Sequence, residues 1–266
     1  MEFRADLHCH STCSDGDLSP AALIDLAKAS GLSGLSITDH DTVEAYTEAL
    51  FAQAEKEGIC LKTGVELSTQ CQGVNVHILG YGFDVRHAGL RALCAEHTGR
   101  RLERNRRIVA KLRERGMEID EADFTGQGTI GRPHIALALC KKGYVATIAE
   151  AFDKYLGDDR CCYDPGVPFL CPETIEVIHQ AGGKAFLAHP HFLRKAAVVE
   201  ALLTYGFDGI ECYYGRLSRS EEEKWLKVAR QRRLLISGGS DFHGEGRERG
   251  ITLGCSWVGK EEFDLI

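Results

Sequence analysis

Apolar and polar positions alternate along the first sixty residues in a pattern that predicts strands and helices in turn. The predicted strands are residues 3–7, 35–37 and 60–67, and the predicted helices are residues 21–29 and 43–56. Ser19 and Pro20 are typical of a helix start, and Gly31 and Gly58 are typical of helix ends. This order predicts parallel strands with the helices packed outside them.

The pattern changes after residue 67. Only a short, mostly polar stretch, residues 68–73, separates the third predicted strand from a fourth at 74–81. A crossover helix needs a longer connection, so these two strands are predicted to form an antiparallel hairpin. The end of one strand then lies beside the start of the next, which predicts that Glu66 and His77 are neighbours.

The middle of the chain, residues 97–165, is predicted to be a helical insertion. Its predicted helices are residues 100–115, 133–142 and 148–155, and a loop rich in glycine and proline follows at 157–168. Later strands are predicted at 184–188, 209–212 and 234–237, with helices at 172–181, 196–205 and 219–232. The simplest interpretation is a barrel-like α/β domain formed by residues 1–96 and 166–266.

The first helix of the insertion carries a basic stripe at three- and four-residue steps, formed by Arg100, Arg104, Arg107, Lys111 and Arg115. Two interpretations stay open: a solvated helix packed on the barrel, or a wall that guides a polyanion. Aromatic residues are not interleaved with the basic ones. A substrate of one or a few nucleotides is therefore favoured over a long single strand.

The composition excludes several classes of protein. The 266 residues carry a net charge of −7, so stable binding of double-stranded DNA is not expected. No apolar run approaches the roughly 20 residues that span a bilayer, and the charged N-terminus lacks a signal region. A cytoplasmic protein without membrane attachment is expected, and its oligomeric state is left open. The eleven cysteines are scattered and odd in number, which predicts reduced thiols.

Imidazoles and carboxylates cluster where the predicted strands end. His8 and His10 are two residues apart at the end of the first strand, so their side chains point the same way. Functional groups collect at the carboxyl ends of barrel strands, so the side chains at these positions are predicted to converge. The nine candidate donors are His8, His10, Asp15, His40, Glu66, His77, His189, Asp241 and His243.

This donor set predicts a site for two or three divalent ions, with Glu66 as a bridging ligand. It contains imidazole and carboxylate but no thiolate, which suits Mn²⁺ first, with Fe²⁺ or Zn²⁺ as alternatives. Such ions lower the pKa of bound water and supply a nucleophile at pH 7. The donors therefore favour hydrolysis without a serine or cysteine nucleophile.

Five short motifs in combination resemble those of the polymerase and histidinol phosphatase (PHP) superfamily: D-L-H-C-H, T-D-H-D, G-V-E-L, A-H-P and S-D-F-H. The resemblance covers the chain outside the insertion and implies a distorted (β/α)₇ barrel with a trinuclear metal site that hydrolyses phosphoesters. The implied ligand sets are His8, His10, Glu66 and Asp241 for one ion, Asp15, His40 and His243 for a second, and Glu66, His77 and His189 for a third.

Asp15 stands where many members of the superfamily have a histidine. Together with Gly80-Tyr81-Gly82 and the inserted Gly131-Arg132-Pro133-His134, it makes the chain similar to one subgroup. That subgroup comprises nucleoside 3′,5′-bisphosphate phosphatases and 5′→3′ exoribonucleases, which implies a small nucleotide or short RNA as substrate. Two alternatives stay open: a phosphatase of a non-nucleotide monoester such as histidinol phosphate, and an inert metal-binding module with a structural role.

Two residues near the donors are candidates for roles in the reaction. His191 follows His189 by two residues and is a candidate general acid for the leaving oxygen, although an ordinary loop histidine fits equally well. Asp39 is expected to orient a ligand rather than to bind metal itself.

Four basic residues are candidates for substrate binding. Arg132 and His134 lie at the start of an inserted helix, where backbone N–H groups and positive charge favour phosphate. Arg194 and Arg216 follow motifs at the predicted rim and are expected to reach phosphate from there.

Overall fold

A computed structural model describes residues 2–124, 128–215, 217–247 and 250–266 of the chain. Within these residues the strands are β1 (Ala5–Asp6), β2 (Gly34–Leu35), β3 (Cys60–Leu61), β4 (Gly64–Cys71), β5 (Val74–Tyr81), β6 (Lys184–Leu187), β7 (Gly209–Tyr214) and β8 (Leu235–Gly239). The α-helices are α1 (Pro20–Ala29), α2 (Glu48–Glu57), α3 (Ala88–Arg113), α4 (Arg132–Lys141), α5 (Ile148–Ala151), α6 (Cys171–Gln180), α7 (Ala196–Leu202), α8 (Arg219–Arg232) and α9 (Lys260–Leu265). None of the helices in these ranges is both long and apolar enough to cross a membrane.

The first three strands form a small parallel sheet in the order β1-β2-β3. The Ser19 side chain accepts a hydrogen bond from the amide of Ala22 and so begins α1 as predicted. Helix α2 begins at Glu48, not at residue 43, because the Tyr46 hydroxyl donates to the carbonyl of Ile37 and holds the preceding segment in turns.

The remaining strands form a mixed sheet in the order β4-β5-β6-β7-β8. The predicted hairpin is confirmed: β4 and β5 pair antiparallel around Gln72 and Gly73, which have φ values of 51° and 75°. The single strand predicted at 60–67 is wrong, because it is two strands that belong to different sheets. Residues 60 and 61 pair with β2, whereas β4 begins at Gly64 and pairs with β5.

Isolated bridges join segments that follow the first sheet to the second sheet or to the segment after it. An isolated parallel bridge joins His40 to Glu66, and another joins Cys9 to Phe242. The amide of Asp241 also donates to the carbonyl of His8 at 2.7 Å. The mixed α/β class with parallel strands is therefore confirmed, and these bridges lie among the candidate metal donors.

Helix α3 connects the sheets to the inserted helices and is longer than predicted, beginning at Ala88 and ending at Arg113. Leu90, in its first half, packs in the core formed with β4 and β5. Ile108 and Leu112, in its second half, pack in a separate core with α4 and the residues around α5. The predicted boundary at residues 96 and 97 thus falls within one continuous helix, and the division into domains stays a prediction.

All eleven cysteines are free thiols in the structure. Even Cys161 and Cys162, which are adjacent in sequence, keep their sulfur atoms 3.9 Å apart. The reduced state expected from their number and spacing stays a prediction.

Candidate metal centre

The structure brings all nine predicted donors together at one rim. Glu66 and His77 lie within the hairpin strands, and Asp15 lies in the loop between β1 and α1. The other donors follow strands: His8 and His10 follow β1, His40 follows β2, His189 follows β6, and Asp241 and His243 follow β8. Three groups have ligand atoms within 4.8 Å of one another: His8, His10, Glu66 and Asp241; His10, Asp15, His40 and His243; and His40, Glu66 and His77.

Glu66 lies at the centre of this cluster. Its Oε1 is 2.7 Å from Nδ1 of His77 and 2.8 Å from Nε2 of His189. Its Oε2 is 3.1 to 3.4 Å from ring nitrogens of three further histidines, namely His8, His10 and His40. One buried carboxylate thus faces five imidazole rings, which is the geometry that a bridging ligand needs.

Two aspartates face the remaining rings. Oδ1 of Asp241 is 3.1 Å from Nε2 of His10 and 3.2 Å from Nε2 of His8. Oδ1 of Asp15 is 3.4 Å from Nε2 of His243, whose ring stacks on His10 with a centroid separation of 4.1 Å. Carboxylate oxygens therefore face ring nitrogens throughout the cluster.

The three groups overlap with the ligand sets implied by the resemblance but differ from them in two details. His10 lies within reach of the group formed by Asp15, His40 and His243, between two of the implied sites. The third group contains His40 together with Glu66 and His77, whereas the implied set has His189 in that position. His189 is still within hydrogen-bond distance of the Glu66 carboxylate.

The electrostatics of the cluster favour charged carboxylates. Burial opposes the charge on Glu66, but His40, His77 and His8 outweigh it and hold the pKa of Glu66 well below its ordinary value. The pKa of Asp241 is lowered in the same way, by His8 and His10 against burial. For His40, burial lowers the pKa to about 3, although Glu66 and Asp15 oppose this shift.

The donors fit divalent metal ions on an observation independent of the motifs. Four of their buried atoms have no hydrogen-bond partner among the described residues: His8 Nε2, His10 Nδ1, His40 Nδ1 and Glu66 Oε2. Buried polar atoms are almost always satisfied, so four such atoms in one cluster indicate that a ligand belongs there. Imidazole and carboxylate without thiolate suit a divalent transition metal.

The backbone is strained where it presents some of these side chains. Asp241 has a φ of 57°, His189 a φ of 25°, and Asp41, next to His40, a φ of 56°. His189 also precedes Pro190, a position that disfavours helical backbone angles. Strain of this kind costs about 1–3 kcal/mol per residue and concentrates at functional sites.

Glu211 is a functional candidate that the sequence patterns missed. It is fully buried in β7, its Oε1 lies 2.8 Å from Nδ1 of His8, and its Oε2 accepts a hydrogen bond from the amide of His189. This contact directs Nε2 of His8 toward Glu66 and Asp241. One feature of the sequence could have identified it: it is a single glutamate in the otherwise uncharged strand Gly209–Tyr214. A buried charge is costly unless it is paired, so this residue needs a partner.

Asp39 holds the loop that carries Asp15. Its carboxylate accepts hydrogen bonds from the amide and hydroxyl of Ser11 and from the hydroxyl of Ser14. Arg247 fastens the other side of the same loop by donating to the carbonyl of Asp15 and to the carboxylate of Asp17. The loop is therefore fixed from two sides.

His191 lies among aromatic rings, with centroids 4.5 Å from Tyr214 and 4.2 Å from Phe192. Both of its ring nitrogens are buried and have no hydrogen-bond partner in the part of the chain that the structure describes, and burial lowers the pKa of His191 to about 4. The ring is therefore neutral at pH 7 in this arrangement, and its role as a general acid stays a prediction.

A cationic pocket of about 150 Å³ opens beside the donors. Its lining includes Asp15, His40 and His77 from the cluster together with Arg101, Arg104 and Arg132. Arg101 pairs with the buried carboxylate of Asp41, and Arg132 pairs with Asp158 at 2.8 Å. Arg104 donates to Oδ1 of Asn105, but its Nε is buried without a hydrogen-bond partner among the described residues. Burial, with Arg101 and Arg132 nearby, lowers the pKa of its guanidinium to about 9.

His134 and Arg194, two further predicted substrate contacts, are not part of the lining of this pocket. Nδ1 of His134 accepts a hydrogen bond from the amide of Gly131 at 3.1 Å, so this side chain caps its own helix. Arg194 is exposed on the segment before α7, and Arg216 lies outside the described residues. The roles assigned to these three residues stay predictions.

The predicted basic stripe on α3 is divided by its contacts. Arg107 and Lys111 both bind Asp164, and Arg100 pairs with Glu96. These charges are largely balanced by neighbouring acids, whereas Arg104 points into the pocket. Of the stripe residues, Arg104 is therefore the one that lies beside the candidate donors.

Comparisons with known proteins agree with this site. A family model described as PHP domain matches residues 6–155. A 5′-3′ exoribonuclease of Haemophilus influenzae is 35% identical over 100% of this chain and 96% of its own length. A 3′,5′-nucleoside bisphosphate phosphatase of Chromobacterium violaceum is 33% identical over 94% of this chain and 90% of its own length.

A solved structure is similar as well. The crystal structure of a predicted metal-dependent phosphoesterase from Bifidobacterium adolescentis matches with a TM-score of 0.88 and 30% identity, covering 98% of this chain and 94% of that one. Sequence and fold agree over nearly the whole length. The resemblance inferred from the motifs is confirmed, and the chain belongs to the PHP domain family.

Proposed function

We propose that this metal-dependent phosphoesterase acts on nucleotides that carry a second phosphate group, either nucleoside 3′,5′-bisphosphates or the 5′ end of short RNA. The observation that carries the proposal is the arginine-lined pocket beside the donor cluster, in which Nε of Arg104 is buried without a hydrogen-bond partner among the described residues. A phosphate group bound there would satisfy the guanidinium while another phosphate lies at the donors. The names of the exoribonuclease and phosphatase relatives support the same substrate class.

The nine donors hold two or three divalent ions in this proposal, with Mn²⁺ first and Fe²⁺ or Zn²⁺ as alternatives. We assign His8, His10, Glu66 and Asp241 to one ion, Asp15, His40 and His243 to a second, and Glu66, His77 and His189 to a third. The four unpartnered buried atoms of these residues support the assignment. Bound ions lower the pKa of water and balance charge that develops on phosphate oxygens.

The protein's own side chains then orient the substrate. Arg104 and Arg132 bind the second phosphate and so place the scissile one at the donors. Asp39 positions Asp15 through the loop that starts at Ser11, and His191 is the candidate that returns a proton to the leaving oxygen. Arg194, Arg216 and His134 are proposed as weaker contacts on the approach to the site.

The proposal extends to architecture and location. The bridges between the two sheets support a distorted (β/α)₇ barrel of residues 1–96 and 166–266, with residues 97–165 inserted as a helical unit. A cytoplasmic location is proposed from the sequence, without membrane attachment or stable binding of double-stranded DNA.

Two alternatives make different demands on the pocket. Histidinol phosphate has one phosphate group and a cationic amine, so it has no use for three arginines. An inert structural module does not require nine convergent donors. It also does not account for the strained backbone at three rim positions, since such strain concentrates at functional sites. The pocket and the strain therefore favour a nucleotide phosphoesterase.

The test compares kcat/KM for adenosine 3′,5′-bisphosphate, adenosine 3′-monophosphate and histidinol phosphate in Mn²⁺. We expect a preference for the bisphosphate that Arg104→Met removes, whereas Arg106→Met, at an exposed arginine of the same helix that pairs with Glu121, keeps it. A preference for histidinol phosphate would contradict the substrate class. Metal binding without hydrolysis of any of these esters would favour the structural module.

A further inference from the structure

An exposed aromatic ring stands at the edge of the donor cluster. Phe192 ends the short helix Pro190–Phe192 that follows His189, and 58% of its surface is exposed. Its ring centroid is 5.3 Å from that of His189, whose Nε2 contacts Glu66. A large apolar side chain is thus held in solvent directly beside the reacting centre.

The ring is held in place from behind. Its centroid lies 4.2 Å from His191 and 5.7 Å from Tyr214, and the Tyr214 hydroxyl donates to Asp241 at 2.9 Å. These contacts tie the position of Phe192 to the donors themselves. Single exposed apolar residues are common on protein surfaces and do not indicate a function. Phe192 differs because two aromatic contacts fix it beside the candidate metal donors.

Phe192 and the cationic pocket lie at different ends of the cluster. The rings of His40, His77, His189 and Phe192 follow one another with centroid separations of 5.2, 5.2 and 5.3 Å. His40 and His77 line the arginine pocket, whereas Phe192 is at the far end of this row. A substrate that passes over the donors from the pocket therefore reaches Phe192 next.

We propose that Phe192 stacks on the base of the nucleotide that follows the scissile phosphate, so that the site accepts a phosphodiester as well as a phosphomonoester. This inference rests on the proposed function. The 5′-phosphate of the first nucleotide occupies the arginine pocket, its 3′-linked phosphate lies at the donors, and the second base lies on Phe192. Stacking on an aromatic ring tolerates any base, as trimming RNA requires.

The bond that breaks is the same for both kinds of substrate. Water adds its oxygen to phosphorus, the bond from phosphorus to the 3′-oxygen of the first nucleoside breaks, and that oxygen takes a proton. A bisphosphate yields inorganic phosphate, and an RNA yields a mononucleotide plus a chain that starts with a new 5′-phosphate. Phe192 contacts only the part that is present in RNA.

The test uses three substrates that differ on the Phe192 side: adenosine 3′,5′-bisphosphate, a 5′-phosphorylated adenosine dinucleotide, and the same dinucleotide with an abasic second residue. We expect Phe192→Ala to raise KM roughly tenfold for the full dinucleotide. KM for the other two substrates stays unchanged, and Phe192→Trp restores the wild-type value. Phe51→Ala, at an exposed phenylalanine of α2, is the matched control.

A binding readout accompanies the kinetics. With 2-aminopurine as the second base, the wild-type protein quenches the fluorescence of the dinucleotide in the presence of chelator, and Phe192→Ala removes the quenching. An equal KM change for all three substrates, no change for any of them, or a wild-type protein that cleaves only the bisphosphate overturns this inference. Failure of the wild-type protein to hydrolyse the bisphosphate would instead contradict the proposed function.

Discussion

Glu66 is the residue on which most of the cluster depends, because its two oxygens face five imidazole rings. Glu66→Gln keeps the shape of the side chain but replaces one charged oxygen with an NH₂ group, which cannot bind a cation. We expect loss of nearly all phosphoesterase activity and of at least one bound metal per chain, measured by turnover and elemental analysis. Glu44→Gln, at an exposed glutamate paired with Arg91, should leave both unchanged.

Glu211 acts one step further from the reaction, through His8. The carboxylate at 2.8 Å from Nδ1 holds a proton on that nitrogen and leaves Nε2 free to bind metal. Glu211→Gln should weaken metal affinity by about 10- to 100-fold, measured by competition with a chelator. Excess metal should restore kcat, which separates a positioning role from a catalytic one. Unchanged affinity would contradict this role.

At the residue scale the sequence named the nine candidate donors and the supporting residue Asp39, but it missed Glu211. The nine donors follow strand patterns closely enough to be named, because period-two alternation and strand ends are local properties. Glu211 and Arg104 could not be identified in the same way. Whether a charged residue is paired or faces a site depends on residues that are distant in sequence. His8 and Glu211, for example, are more than a hundred residues apart.

Among the elements, helix α3 links the insertion to the rim through one buried ion pair. Asp41, fully buried at the end of the β2 segment, binds Arg101 through Nε at 2.6 Å and faces Nδ1 of His97 at 3.3 Å. Burial opposes its charge, but Arg101 and His97 outweigh burial and lower the pKa of Asp41 well below the ordinary value. The position of the pocket arginines therefore depends on this contact.

Asp41→Asn tests that dependence without changing the backbone, because asparagine also accepts a positive φ. In metal-free protein at pH 7 we expect the free energy of unfolding to fall by about 3 kcal/mol. A carboxyl whose pKa is lowered on folding stabilises the protein above its unfolded pKa of about 4, and this contribution is lost as the pH falls further.

The difference between wild type and Asp41→Asn, measured by urea denaturation, should therefore shrink between pH 5 and pH 3. Glu44→Gln, which breaks an exposed pair, is the control and should change stability by less than about 1 kcal/mol at either pH. A difference that does not change with pH would show that packing, and not charge, anchors the helix.

The sequence predicted elements best where one face is buried and the ends carry clear signals. The predicted bounds of β5 and α8 agree with the structure, and α8 begins with a capping box at Ser218 and Glu221. The predicted start of helix α3 at residue 100 is too late, because Gly89 and Gly99 weaken the helical pattern before it. Leu90, Cys94 and His97 nevertheless share a buried face of this helix. The predicted start of α2 at residue 43 is wrong because the contact between Tyr46 and Ile37 overrides the local helix propensity.

Considered as a whole, the molecule is held together across its two sheets by the same residues that form the candidate metal centre. His8 and His40 follow strands of the first sheet, whereas Glu66, His77, His189 and Asp241 belong to the second sheet or follow its strands. No local pattern reveals such pairing, since the bridge from His40 to Glu66 and the one from Cys9 to Phe242 join distant segments. Metal bound at this centre would therefore tie distant parts of the chain together.

Metal removal should accordingly destabilise the whole protein and not only abolish activity. A ligand at a hundred times its Kd contributes about 2.7 kcal/mol to the free energy of unfolding, provided that it binds only the folded chain. For a chain of this size we expect a Tm at least about 5 °C higher with Mn²⁺ than with chelator, measured by differential scanning calorimetry. Ca²⁺, which prefers oxygen ligands, should give a smaller shift because most of the donors are imidazoles. Glu66→Gln should lose most of the Mn²⁺-dependent shift while keeping its chelator Tm near the wild-type value, and equal wild-type Tm values with Mn²⁺ and with chelator would contradict a metal centre that joins the two sheets.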